Sequence, residues 1–239
     1  METIKEKLIN LYSGKWKKLK SEILEKNDSI ECPHLLSTTE KFEKEWSESD
    51  IKMMIFGIKT NSWGADEDTI KDEDAIKHLM KSYEKFYFKG GNWKYAQTFW
   101  NYFYCIHELL KCRLNKKISV IWNNVHKIEG APQEIEDQYF NVTLEEVKIF
   151  RPNVILLLGI NERDTLLSKI LGKINFNVDE YRNKDKSLYS LNTSNLSLEP
   201  EVKEYLKKII ITYHPNAHGK GGIKMKYLIE HLSHELNSL

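Results

Sequence analysis

The sequence lacks the features that mark several common protein classes. It has three cysteines and no Cys-x-x-Cys pair, which argues against a disulfide framework and favours reduced thiols inside a cell. Its longest aliphatic run, Val154–Leu158, is far too short to cross a bilayer. The first residues lack the apolar core of a signal peptide, and five prolines without a low-complexity tract argue against a long linker. We therefore expect a cytoplasmic protein with no membrane segment.

The chain also lacks an excess of either charge. Basic and acidic residues number 36 and 35, which gives a formal net charge of +1. Any nucleic-acid binding must therefore use a local basic patch rather than a polycationic chain. Neither a P-loop nor a dinucleotide-binding fingerprint is present. With 41% hydrophobic residues in 239, the composition is that of an ordinary globular protein with room for one α/β domain.

Short apolar runs alternate with helical patterns along the chain. This alternation indicates a parallel sheet covered by helices on both faces. We predict a three-layer α/β/α fold with a central four-stranded parallel sheet, as one domain over residues 1–239 with a helical extension (1–48) before the core (50–235). The predicted strands are 51–57, 118–122, 153–159 and 208–213, with a possible edge strand near 188–191. The predicted helices are 4–26, 39–46, 72–89, 95–114, 165–171, 200–207 and 224–236.

Three polar segments directly follow predicted strands: 59–66, Asn123-Asn124 and 214–222. In parallel sheets, ligands bind outside the carboxyl ends of the strands, so these segments are candidates for one site. Each also has an ordinary reading. Ser62 or Asp66 could cap a helix, the asparagines could form a turn, and the last segment could be a solvated loop.

The segment that begins His214-Pro215-Asn216 carries the clearest chemistry. Proline restricts the backbone next to a histidine at a strand end, where an imidazole can face a cleft. Three glycines together with Lys220 and Lys224 follow before the next acidic residue. Glycine-rich backbone and lysine side chains are suited to phosphate groups, so this loop is a candidate for contact with a nucleic-acid backbone.

The ordered set of motifs resembles the uracil-DNA glycosylase superfamily over about residues 50–235. The first motif of that family begins with glycine after the first strand, as Gly57 to Trp63 does here. A pyrimidine-reading asparagine ends a later strand, and Asn124, or Asn123 in its place, matches it. An Arg-Pro pair precedes an aliphatic strand ending Leu-Gly, as in 151–159. A final motif begins His-Pro, as at His214.

The resemblance implies a four-stranded parallel sheet and a DNA glycosylase that flips a pyrimidine out of DNA and needs no cofactor or metal. The family's water-orienting acid is replaced here by Lys59, so Asn61 or Asp66 would orient the water. Alternatively, the Lys59 amine would attack the sugar directly, as in glycosylases with a covalent imine intermediate. Phosphate binding or structural pairing is the expected use of Lys59 ahead of that attack. His214 would stabilise the leaving base and Asn124 would bind the base edge. The residues expected to bind DNA phosphates are Lys59, Ser62, Lys220 and Lys224.

The resemblance also bears on the substrate. Asn61 stands where the best-known branch has a tyrosine that excludes substituents at carbon 5 of the pyrimidine. The smaller amide would leave room there, so Asn61 is also a candidate base-binding residue, and a C5-substituted cytosine is expected ahead of uracil. Such bases occur in viral DNA, which suggests a role in phage defence. We expect a monomer that binds DNA. The alternatives are a non-catalytic DNA-binding module on the same fold and a nucleoside hydrolase-like enzyme.

Overall fold

The computed structural model describes most of the chain and divides it into two compact units. The first unit comprises residues 1–43, 58–91 and 124–150, and the second comprises 44–57, 92–123 and 151–239. The described residues are 2–25, 30–59, 74–90, 98–159, 163–172, 188–215 and 225–239.

A five-stranded sheet forms the centre of the second unit. Its strands lie in the order β2-β1-β3-β5-β4. β3 pairs in parallel with both β1 and β5, whereas β4 pairs antiparallel with β5 at the edge. The strands are β1 (Ile51–Gly57), β2 (Ile118–Asn124), β3 (Val154–Leu158), β4 (Leu188–Asn192) and β5 (Lys208–Thr212).

Two backbone hydrogen bonds show that β2 runs in the same direction as β1. Before the strands, the Ile51 N–H donates to the Lys117 carbonyl at 3.0 Å. After them, the His126 N–H donates to the Ile58 carbonyl at 2.9 Å. Because start is joined to start and end to end, the two strands are parallel. The carboxyl ends of β1, β2, β3 and β5 therefore lie along one edge of the sheet.

Nine α-helices occur in the described residues. α1 continues as a π-helical turn over Lys20–Leu24, and a capping box between Thr3 and Glu6 starts it. α1 packs against α3, α5 and α6 in the first unit, and α4 packs against α9 in the second. The helices are α1 (Ile4–Leu19), α2 (Glu40–Glu48), α3 (Ala75–Tyr87), α4 (Thr98–Arg113), α5 (Gln133–Tyr139), α6 (Thr143–Phe150), α7 (Arg163–Leu171), α8 (Pro200–Tyr205) and α9 (Met225–Asn237).

The α/β class is confirmed, with corrections to the sheet. It has five strands rather than four, because Leu188–Asn192 adds an antiparallel edge. β2 also continues through Asn123 and Asn124, which the sequence placed just after the strand. α5 and α6 were not predicted. The single-domain expectation stays a prediction. No helix in the described ranges is long and apolar enough to span a membrane.

Candidate functional site

The carboxyl edge of the parallel strands is the place where a sheet of this order presents a ligand site. In the sheet, β2 lies on one side of β1 and β3 lies on the other. The order in which the chain adds strands therefore reverses between β1 and β3. Beyond β3, the Gly159 N–H donates to the Thr212 carbonyl at 2.9 Å, which extends the β3–β5 pairing to this edge. In the second unit, this edge carries Gly57, Asn123 and the residues after Thr212.

His214 lies two residues beyond β5 and is half-buried. Its ring stacks on Phe99 from α4, with the ring centres 5.6 Å apart and an angle of 20° between the planes. Burial lowers the pKa of the imidazole, so the neutral form is favoured near pH 7. A neutral imidazole has one N–H donor and one acceptor nitrogen, and the stacking limits the directions in which they can point.

An aromatic cluster supports this histidine. Phe99 packs edge-on against Trp100, with the ring centres 5.0 Å apart. Trp100 also packs edge-on against Trp122 of β2, with 4.4 Å between the ring centres and 85° between the ring planes. Phe103 completes the cluster beneath Trp100 at 5.9 Å. All four rings are buried, so the surface on which His214 rests is held in place by packing. The sequence did not single out Phe99. The sequence feature that could have indicated this contact is the pair of adjacent aromatic residues, Phe99 and Trp100, at the start of a helix.

The two candidate asparagines occupy the last two positions of β2, and both are buried. Neighbouring strand residues project from opposite faces of a sheet, so Asn123 and Asn124 are not interchangeable. The Asn123 amide nitrogen lies 3.7 Å from the Met54 sulfur in β1. Asn124 projects from the face of β2 that carries Trp122. The structure thus separates two residues that the sequence treated as substitutes.

The chain after Asn124 is held by hydrogen bonds on several sides within the first unit. The His126 N–H bonds to the Ile58 carbonyl just before Lys59, so the segments that follow β1 and β2 are adjacent. Glu136 of α5 accepts the backbone N–H groups of Lys127 and Ile128 at 3.1 and 3.3 Å. These bonds fix the backbone directly after the proposed base-reading residue.

A buried ion pair anchors the same segment. Lys127 and Glu146 of α6 are fully buried, and the Lys127 Nζ lies 2.5 Å from a Glu146 oxygen. The Tyr12 hydroxyl donates to the other Glu146 oxygen at 2.7 Å and accepts the Leu36 N–H at 3.0 Å. Burial lowers the pKa of Lys127, opposed by the charge of Glu146, and burial together with Glu146 raises the pKa of Tyr12. Nothing in the sequence pattern marked Lys127 as buried.

His34 lies beside this pair. The backbone N–H of His34 donates to the Lys127 carbonyl at 2.7 Å. The His34 ring packs edge-on against Tyr83, with the ring centres 5.5 Å apart. Burial, and then the nearby Lys127 charge, holds the pKa of His34 well below its usual value. The cluster of Tyr12, His34, Lys127 and Glu146 was missed by sequence reasoning, and all four side chains are buried.

Of the remaining predicted site residues, one is exposed and the others lie outside the described residues. Lys59 is exposed, two residues after β1. Five predicted site residues fall outside the described residues, so their roles stay predictions: Asn61, Ser62, Asp66, Lys220 and Lys224. Within the described part of the chain, no group of three or more His, Cys, Asp or Glu residues could hold a metal ion.

A scan against protein-family models finds no match, and a search of curated proteins finds no similar sequence.

Proposed function

We propose that this protein is a DNA glycosylase that flips a modified pyrimidine out of DNA and excises it, leaving an abasic site. The observation that carries the proposal is His214, a half-buried imidazole stacked on Phe99 at the carboxyl edge of a parallel sheet. The uracil-DNA glycosylase-like, three-layer arrangement of the fold is part of the same proposal. The protein acts as a monomer in the cytoplasm, and its partner is DNA.

The chemistry follows from the protonation state of this histidine. When the bond between sugar and base breaks, negative charge develops on the leaving pyrimidine. A preorganised N–H that is already aimed at this charge stabilises the transition state without reorganisation, and such donors contribute about 2.7–4 kcal/mol. Because burial favours the neutral imidazole, His214 donates a hydrogen bond rather than a full proton.

The other roles are assigned from residue chemistry. Asn124 binds the base edge, since an amide offers both donors and an acceptor. Asn61 or Asp66 contacts the water, and Asn61 also faces carbon 5 of the base. The basic and hydroxyl residues bind phosphates and position the DNA without reading its sequence. These are Lys59, Ser62, Lys220 and Lys224.

The substrate class is a cytosine enlarged at carbon 5, with uracil next, and the corollary is defence against phages whose DNA carries such bases. The test compares duplexes that contain uracil, 5-hydroxymethylcytosine or glucosylated 5-hydroxymethylcytosine, with abasic sites scored by alkaline cleavage. We expect cleavage of the enlarged cytosines. Cleavage of the uracil duplex alone would contradict this substrate class, and cleavage of none would contradict the enzyme assignment.

A second candidate is a DNA-binding module without catalysis. Lys59, at the position of the family's water-orienting acid, favours it. Salt-dependent binding to every duplex in the panel, without base release from any of them, would support this candidate over the glycosylase.

A further inference from the structure

The first helix contains a strongly basic stretch. Residues 7–21 include five lysines and no aspartate, glutamate or histidine, although the whole chain has a formal net charge of only +1. The nearest acidic residue before this stretch, Glu6, belongs to the capping box that starts α1. Positive charge is therefore concentrated on one element of the first unit, and such a local patch is what a nearly neutral chain needs to bind a polyanion.

Several of these lysines lie on the side of α1 that faces solvent. The repeat of about 3.6 residues per turn places five exposed residues on that side, and we call this set the basic face of α1: Lys7, Asn10, Gly14, Lys17 and Lys18. None of its three lysines forms an ion pair within the described part of the chain. From Lys7 to Lys18 the face extends about 16 Å, at about 1.5 Å per residue.

The apolar side of the same helix is buried inside the first unit. Leu8, Tyr12 and Leu19 are buried, and α1 packs against α3, α5 and α6. The Tyr12 hydroxyl is also bonded to Glu146 of α6. A basic amphipathic helix that lies on a membrane inserts its apolar side into the lipid, whereas α1 uses that side for packing. The basic face is therefore suited to a partner that offers negative charge without an apolar surface.

Gly14 lies in the middle of the basic face. A Cβ atom at this position would meet no atom within 4 Å, so no packing contact among the described residues requires a glycine there. Glycine also lowers the stability of a helix interior relative to alanine. What glycine provides is close approach of a partner to the helix backbone, next to Lys17 and Lys18 one turn further along α1.

Resting on the proposed function for the identity of the partner, we propose that the basic face of α1 binds the phosphate backbone of duplex DNA. One strand of a duplex carries a phosphate about every 3.4 Å of its axis, so a face about 16 Å long spans several phosphates. The lysines contact phosphate oxygens, the Asn10 amide donates a hydrogen bond to another, and Gly14 lets the strand approach the helix. These contacts hold the duplex without reading its sequence.

The experiment measures binding of a fluorescein-labelled duplex of unmodified bases by fluorescence anisotropy over a series of salt concentrations. The full chain is compared with the double variant Lys17→Gln, Lys18→Gln. The loss of two phosphate contacts should lower the slope of log K against log salt by about 1.8 and weaken binding roughly 10- to 100-fold at about 0.1 M salt.

The matched control is the double variant Lys203→Gln, Lys207→Gln. It removes the same charge from two exposed positions in and just after α8, where acidic residues lie beside the lysines. Its affinity and its salt slope should stay close to those of the wild type. Melting temperatures show that each variant is folded.

Substitutions at Gly14 separate contact with DNA from helix stability. Gly14→Leu favours the helix, so its melting temperature should rise by up to roughly 4 °C, but the added side chain blocks close approach and should weaken binding. Gly14→Ala should raise the melting temperature similarly, with a smaller loss of binding. A purely structural role of Gly14 would not make the protein more stable and a weaker binder at the same time.

The outcomes distinguish this inference from the proposed function. If the wild type binds the duplexes through these lysines but releases no base, the glycosylase function is overturned and the basic face is supported. Unchanged affinity and slope in folded Lys17→Gln, Lys18→Gln would overturn the inference alone, as would wild-type binding by folded Gly14→Leu. Tighter lysine-dependent binding to duplex RNA, or to vesicles of phosphatidylcholine and phosphatidylserine, would also overturn it, because the partner would then not be DNA.

Discussion

At the scale of single residues, the proposed chemistry depends on how burial sets the protonation state of His214. The stack on Phe99 both removes water from the imidazole and fixes its orientation. The sequence could predict His214, because strand ends in a parallel sheet face the ligand site and proline follows it. It could not predict Phe99, since the contact joins residues more than a hundred positions apart and no local pattern encodes it.

We predict that His214→Ala lowers the single-turnover excision rate by about 10²- to 10³-fold, the usual loss for one preorganised donor. Phe99→Leu should lower it less, because the imidazole remains but is free to turn. His234→Ala is the control, since that histidine is exposed on α9. Full activity in folded His214→Ala would remove His214 from the mechanism.

At the scale of elements, the buried Lys127–Glu146 pair fixes the segment between β2 and α5. Removing two charges from water is costly, and the hydrogen bond from Tyr12 and the ion pair itself offset this cost.

Another contact at this scale has a structural role. Arg151, from the motif that suggested the family, adopts a left-handed backbone with φ of 50° and binds Glu204 of α8 at 2.9 Å. It thereby ties the start of β3 to α8.

We predict that Glu146→Gln lowers the free energy of unfolding by about 3–5 kcal/mol, because it leaves Lys127 buried without its counter-charge. The double variant Lys127→Met, Glu146→Leu should lose less than the single variant. Asp74→Asn is the control, since it breaks an exposed pair with Lys77 that should contribute about 0–1 kcal/mol. Urea unfolding measures all three, and an unchanged midpoint for Glu146→Gln would contradict the role of the pair.

The sequence could predict elements where their apolar pattern was strong. The strands were found to within two residues at each end, because buried parallel strands are continuous apolar runs. α5 and α6 were missed, since Gln133–Tyr139 and Thr143–Phe150 are short helices with mixed polar residues. β4 was found only as a possible edge strand, because a strand with one neighbour is polar in part.

At the scale of the whole molecule, several histidines are held neutral by burial. Burial, with a smaller effect from Lys111, lowers the pKa of His107 to about 4 against the opposing charge of Glu108. Burial also lowers the pKa values of His34 and His214. The unfolded chain binds protons at these sites near pH 6.5, before the folded protein does. Folding stability therefore falls as pH decreases through this range.

We predict that the melting temperature falls as pH decreases from 6.5 towards 4. Each histidine with a lowered pKa contributes at most about 1.4 kcal/mol per pH unit. His107→Gln should flatten part of this dependence, because it removes an imidazole whose pKa is lowered by burial. Glu31 acts in the opposite direction, because burial raises the pKa of its carboxyl group. A melting temperature that is constant over this range would contradict the burial of these imidazoles.

We propose above that the strand edge carrying His214 excises a pyrimidine base from DNA. The most direct measurement is mass spectrometry of free bases released by the wild-type protein from duplexes that carry cytosine, uracil, 5-hydroxymethylcytosine and glucosylated 5-hydroxymethylcytosine. The glycosylase proposal predicts release of an intact C5-substituted cytosine, in amounts equal to the abasic sites formed, and a rate of release about 10²- to 10³-fold lower in His214→Ala. The absence of any free base, under conditions where the protein is folded and binds the same duplexes, would contradict it.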